Sequence, residues 1–87
     1  MKDKPIQIIS LAKKKLAQRN IAEDLVLGTI REPEQVLDGY GGRKVAQKVF
    51  QIFEKRYLLR VVYEEKDNQF LVITGYLTSQ VSRYLEE

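Results

Sequence analysis

Apolar positions along the chain recur first at helical spacing and then at strand spacing, and the change falls near Pro33. Ser10 precedes Leu11–Arg19, a run of Ala, Leu, Lys and Gln, all strong helix formers. At about 100° per residue, Ile9, Ala12 and Leu16 fall on one stripe and Lys14 points away from it. The Ser10 hydroxyl is placed to accept from a first-turn N–H as an N-cap. Asn20 tolerates the left-handed geometry that ends a helix. A second helix is expected over Ala22–Arg31, with Ile21, Leu25, Val26, Thr29 and Ile30 facing inward. Glu23 and Asp24 suit its positive N-terminal end, and Pro33 disfavours helix at Glu32.

Beyond Pro33 the period shortens to two. Gln35–Leu37 reads as a short extended piece, and Asp38-Gly39-Tyr40-Gly41-Gly42 as a turn. Arg43–Phe53 alternates Val45, Val49 and Phe53 with Gln47 and Gln51, the signature of a strand. Glu54-Lys55-Arg56 is expected to turn into Tyr57–Glu64. Phe70–Thr78 follows, and both runs are dense in Val, Ile, Leu, Tyr and Thr. A three-residue loop, Lys66-Asp67-Asn68, with Asn68 left-handed, would pair Glu65 with Gln69 and Arg60 with Thr74. That register sends Leu59, Val61, Leu71 and Ile73 to a core under two helices. The other face then carries Leu58, Arg60, Val62, Val72, Thr74 and Tyr76. Ser79 is a second N-cap candidate, before a last short helix in which Val81 and Leu85 share a face. The expectation is one α+β domain over residues 1–87, ordered ααββββα. Two N-terminal helices pack on one face of an antiparallel sheet of three to four strands, and a short C-terminal helix closes the chain.

Arg60 lies within Leu58-Leu59-Arg60-Val61-Val62. A guanidinium on a central strand must meet a carboxylate, Glu54 or a neighbouring acid, or face a solvated groove. On the second alternative it is an anion-binding arginine beside Thr74 and Tyr76. Arg43, Lys44 and Lys48 open the preceding strand, where Arg43 with Gln47, or Lys44 with Lys48, would line one face. Cations interleaved with tyrosines hold phosphates and stack bases; equally, lysine stems cover apolar surface on a hydrated face. Lys13-Lys14-Lys15 spreads around its helix as a solvated run. Arg19 suits the helix end, where it can satisfy terminal carbonyls or pair with an acid. Gly39, Gly41 and Gly42 lack the spacing of a phosphate-binding loop and read as a turn.

Composition narrows the chemistry further. The 87 residues contain no cysteine and no histidine, which removes disulfides, thiol catalysis and the commonest general base and metal ligand. Carboxylates do not recur at metal-ligand spacing, so neither a metal nor a cofactor is expected. No apolar run reaches membrane-spanning length, and Met1-Lys2-Asp3-Lys4-Pro5 leads into no signal-peptide core, so a cytoplasmic protein with no membrane partner is expected. The net charge of +3 is unevenly spread. Residues 1–31 sum to +4, residues 32–60 to +2 and residues 61–87 to −3, a polarity that suits a phosphate backbone or an acidic protein segment.

The run Ser10-Leu11-Ala12-Lys13-Lys14-Lys15-Leu16-Ala17-Gln18-Arg19-Asn20-Ile21 resembles the opening of a widespread bacterial and archaeal family of small domains of unknown function. That family reads His-Ala, then Arg-Met or similar, then Arg-Gly-Ile. The likeness continues through Pro33, Gly42-Arg43-Lys44-Val45, Leu58-Leu59-Arg60-Val61-Val62 and Val72-Ile73-Thr74-Gly75-Tyr76, covering about residues 9–78. The family is similar in layout to the RelE/ParE and BrnT toxins, two helices on an antiparallel sheet. The resemblance implies RNA as ligand, endoribonuclease activity and a cognate antitoxin-like partner. Arg43, Arg60 and Tyr76 match its basic strand positions and last-strand tyrosine. Leu11 stands where the family usually has histidine, which leaves catalytic competence open. On this reading Arg60 and Tyr76 are the catalytic pair, and Arg43, Lys44, Lys48 and Arg60 bind nucleic acid. The alternative is a non-catalytic protein-interaction module, using Gln35–Leu37 or another sheet edge.

Overall fold

A computed structural model describes residues 4–85; Met1, Lys2 and Asp3, cited above for the chain start, lie outside the described residues. Five strands and three helices follow the order β1 (Ile6–Ile8), α1 (Ser10–Gln18), α2 (Glu23–Arg31), β2 (Gln35–Asp38), β3 (Lys44–Ile52), β4 (Lys55–Glu65), β5 (Phe70–Thr78) and α3 (Val81–Tyr84). The fold is α+β. The sheet has five strands rather than three to four, ordered β1-β5-β4-β3-β2, and it is mixed. The addition is β1, which runs parallel to β5 with Ile6 opposite Phe70 and Ile8 opposite Val72. Ile6-Gln7-Ile8 is too short for its alternation to stand out, and its partner lies 64 residues away along the chain.

Local rules explain most boundaries. Asn20 has φ 57° and closes α1, as its tolerance of left-handed geometry suggests. Ser10 is not a cap: the helix already includes it, and Ile9 holds the cap position without a side-chain bond. The reason is β1, since Ile9 N–H donates to Val72 O while Ile9 O accepts from Lys13 N–H, so strand passes into helix within one residue. Ser79 is likewise displaced by Gln80, whose N–H donates to Thr78 Oγ1. In the glycine-rich turn, Gly41 and Gly42 have φ 71° and 80°, which is the reason for glycine there.

Ala12 and Leu16 of α1, with Val26 and Ile30 of α2, join one cluster with Ala46, Leu59, Val61 and Val72. Thr29, fully buried in α2, donates its hydroxyl to Leu25 O one turn back and so leaves no unmet group.

The β4–β5 register departs from expectation. Glu65 pairs with Phe70 and Lys66 N–H donates to Gln69 O, so the connection is one residue longer, and Asn68 has no positive φ. A bulge between Val62 and Tyr63 then leaves Ile73 as an extra residue, and Arg60 faces Tyr76 rather than Thr74. The longer connection turns Phe70 and Val72 into the core with Leu59 and Val61, where Leu71 and Ile73 were expected. The bulge reverses the alternation beyond it, so that Leu77 packs on the core and Tyr76 stays on the side of Arg60. Tyr63 and Phe70 meet edge to face, ring centroids 5.6 Å apart.

The β3–β4 hairpin is also tighter than expected. Ile52 pairs with Lys55, leaving Phe53-Glu54 as a two-residue turn and moving Lys55 and Arg56 into β4.

Candidate functional site

One row of side chains crosses four strands. Gln35 of β2 lies opposite Gln47 of β3, Gln47 opposite Arg60 of β4, and Arg60 opposite Tyr76 of β5. Gln47 is fully buried. Its amide nitrogen donates to Gln35 Oε1 at 2.9 Å and to the Tyr84 carbonyl at 3.2 Å, while its oxygen accepts from Arg60 Nε at 2.5 Å. Arg60 Nη1 donates to the Tyr76 hydroxyl. The Tyr84 ring of α3 covers the guanidinium, 4.4 Å from ring centroid to Arg60 Cζ, and the Tyr76 ring lies at 5.6 Å. No buried side-chain nitrogen or oxygen among the described residues lacks a partner.

This arrangement leaves the charge of Arg60 uncompensated. Its hydrogen bonds go to an amide oxygen and a hydroxyl, and among the described residues no carboxylate pairs with it, Glu54 included. Alternation along β4 puts Leu58, Arg60 and Val62 on one side and Leu59 and Val61 of the core on the other. Arg60 is half-buried on the side away from that core.

The other anticipated residues do not gather around Arg60. Lys48 is opposite Leu59, on the core side, and its Nζ is 3.8 Å from Glu32. Lys44 lies opposite Tyr63, three residues along β3 from Gln47 or about 10 Å, and pairs with Asp38 at 3.3 Å. Arg43, just before β3, donates from Nε to Glu64 at 3.0 Å. Bonds from Arg43 and then from Lys66 hold the Glu64 carboxyl below its ordinary value, the stronger influence being Arg43. Arg43 is thereby neutralised. Arg19, expected to satisfy the terminal carbonyls of α1 or to pair with an acid, instead reaches across to β5, donating to Gly75 O at 2.8 Å and to Thr74 Oγ1 at 3.3 Å. Lys13 and Lys14 are exposed and Lys15 half-buried.

Three contributors escaped the sequence reading. Gln47 and Tyr84 supply the acceptor and the cover for Arg60. The signal for Gln47 was a polar residue between Val45 and Val49; for Tyr84, at the far end of the chain, there was none. Arg56 is the third: with the turn at Phe53-Glu54 it shares a side with Leu58 and Arg60, about 13 Å from the latter.

A cleft of about 740 Å³ opens elsewhere, floored by Ile6, Ile30, Val36, Tyr63 and Phe70 and edged by Lys4, Arg31, Lys44 and Glu65. Lys44 alone of the anticipated residues borders it. Among the described residues, no group of three or more acidic, histidine or cysteine side chains could hold a metal ion. None of the described helices is long and apolar enough to cross a membrane.

Comparison of the chain with protein-family models, with curated proteins and with solved structures finds no significant match.

Proposed function

We propose that this chain is a small RNA-binding domain of the RelE-like kind, reading phosphate through the sheet face that carries Arg60 and Tyr76. The observation behind the proposal is the positive charge of Arg60, held in place by neutral groups alone among the described residues. A guanidinium fixed by Gln47 and stacked on Tyr84 is preorganised, and an approaching phosphate supplies the countercharge it lacks. Tyr76 accepts from Arg60, so its own hydroxyl proton is available for a phosphate oxygen or a base. In this reading α1 and α2 cover the opposite face, RNA places the work in the cytoplasm, and an antitoxin-like protein would mask the Arg60 face.

Endoribonuclease activity is the stronger form of the proposal. Arg60 would stabilise charge developing on phosphorus and Tyr76 would move a proton. Arg43 and Lys48 are engaged with Glu64 and Glu32, so they belong to the proposal as peripheral contacts at most.

The experiment is a titration of fluorescently labelled single-stranded RNA at low and moderate salt, with the wild type and with Arg60→Ala and Arg60→Lys. Binding should weaken steeply with salt, fall by about an order of magnitude in Arg60→Ala and be impaired in Arg60→Lys, which keeps charge but loses the fork. A folded Arg60→Ala protein with undiminished affinity would end the proposal. A second reading, strand addition of a partner protein, is favoured by the exposure of one edge strand, β2, whose Val36 is 43% exposed.

A further inference from the structure

Phe53 is 94% exposed at the tip of the β3–β4 hairpin, with φ 54°. It occupies the first central position of a two-residue turn, where glycine, asparagine or aspartate is the ordinary choice. A bulky side chain there is a true backbone outlier, and a ring so exposed gains almost nothing from packing. Neither turn chemistry nor the core accounts for this residue, and strain that the fold does not need points to use.

The hairpin is also an arm. Pairing with β2 ends at Gln47, and pairing with β5 begins at Leu58, so residues 48–57 extend past both described neighbours. Lys55 and Arg56 follow the ring after Glu54, on opposite sides of β4; both are exposed, and no ion pair among the described residues takes up their charge. Arg56 shares the side of β4 that carries Arg60.

We infer that Phe53 is a base-stacking residue, and that the arm holds single-stranded RNA with a base on the ring and a phosphate on Arg56. This rests on the RNA reading of the Arg60 face and extends it by about 13 Å along β4. An aromatic platform beside cations that track a phosphate backbone is the usual means of holding a single strand irrespective of sequence. The positive φ has a role in this account, since it turns the ring outward from the strand ends. A lipid surface fits less well: Phe53 and Ile52, set among Gln51, Glu54, Lys55 and Arg56, offer too little apolar area for insertion.

The chain contains no tryptophan, so Phe53→Trp creates a single fluorescent reporter at the tip. Its emission should be quenched, and shielded from acrylamide, as oligoadenylate is added. Phe53→Asn keeps the turn and removes the ring. It should melt no lower than wild type yet bind a labelled oligoadenylate about tenfold more weakly, the loss of one modest stacking contact. If wild-type protein binds RNA through Arg60 while Phe53→Asn binds equally well and the Phe53→Trp emission does not change, the stacking role is wrong and the Arg60 reading stands. If wild type does not bind RNA at all, both fail. A blue shift with phosphatidylglycerol vesicles but not with oligoadenylate overturns the inference in favour of a membrane contact.

Discussion

Gln47→Glu separates the charge of Arg60 from its position. The substitution is isosteric and places a carboxylate where Arg60 Nε now meets an amide oxygen at 2.5 Å. Two charges about 4 Å apart at an effective dielectric constant near 20 attract by about 4 kcal/mol. Against this, Gln47 loses its donations to Gln35 Oε1 and to the Tyr84 carbonyl, about 1 kcal/mol each, and a charge is buried at a site with no exposure, a cost of several kcal/mol. The opposing contributions are of similar size, so the protein should stay folded, with a melting temperature within about 10 °C of wild type. Its phosphate affinity should fall. Each phosphate contact on a single strand contributes about −0.7 to the slope of log affinity against log salt. Neutralising Arg60 should therefore flatten the slope by about 0.7 and, at about 0.05 M salt, weaken binding roughly eightfold. Fluorescence anisotropy of a labelled oligonucleotide across a salt series measures both quantities, and circular dichroism measures melting. Gln47→Leu is the control: it removes the hydrogen bonds without adding charge, so it should cost stability but leave the slope alone. An unchanged slope and affinity in folded Gln47→Glu would mean that the Arg60 charge never meets the ligand.

Three further outcomes follow from the geometry. Arg43→Ala should change RNA affinity by less than about twofold, because Glu64 already neutralises that guanidinium and exposed pairs contribute little; a loss as large as that of Arg60→Ala in the same titration would contradict this. The lowered Glu64 carboxyl contributes stability above the ordinary value of 4.5 and loses it as pH falls through the lowered value, so Glu64→Gln should flatten the acid limb of a melting-temperature profile below pH 4.5; an acid limb as steep as wild type would show that the Arg43 and Lys66 contacts do not persist in solution. A Cβ on Gly75 would stand 3.2 Å from Leu16 Cδ2, and Leu16 is 1% exposed with little room to move. Gly75→Ala should therefore cost about 1 kcal/mol, seen as a melting temperature lower by about 4–8 °C; an equal or higher value would show that the core yields there.

Local chemistry determined a good deal by itself. The apolar stripes of α1 and α2, the stop before Pro33, the left-handed Asn20 and the alternating runs of β3, β4 and β5 follow from residue type and spacing, because each depends on neighbours within a turn or a pleat. The apolar setting of Arg60 was equally visible, since a charge between Leu59 and Val61 stands out in any register. Long-range pairing had to be decided by the tertiary structure. β1 exists only because β5 offers an edge to a segment 64 residues away. The extra residue in the β4–β5 connection exchanges Leu71 and Ile73 for Phe70 and Val72 in the core, and together with the bulge at Val62/Tyr63 it puts Tyr76 rather than Thr74 opposite Arg60. The single-residue change in the β3–β4 turn moves Arg56 onto the side of Arg60 and leaves Phe53 at the tip. Alternation has a period of two, so one residue more or less in a turn or bulge reverses every face beyond it. Composition is silent about such counts, and the partners of Arg60 depend on them.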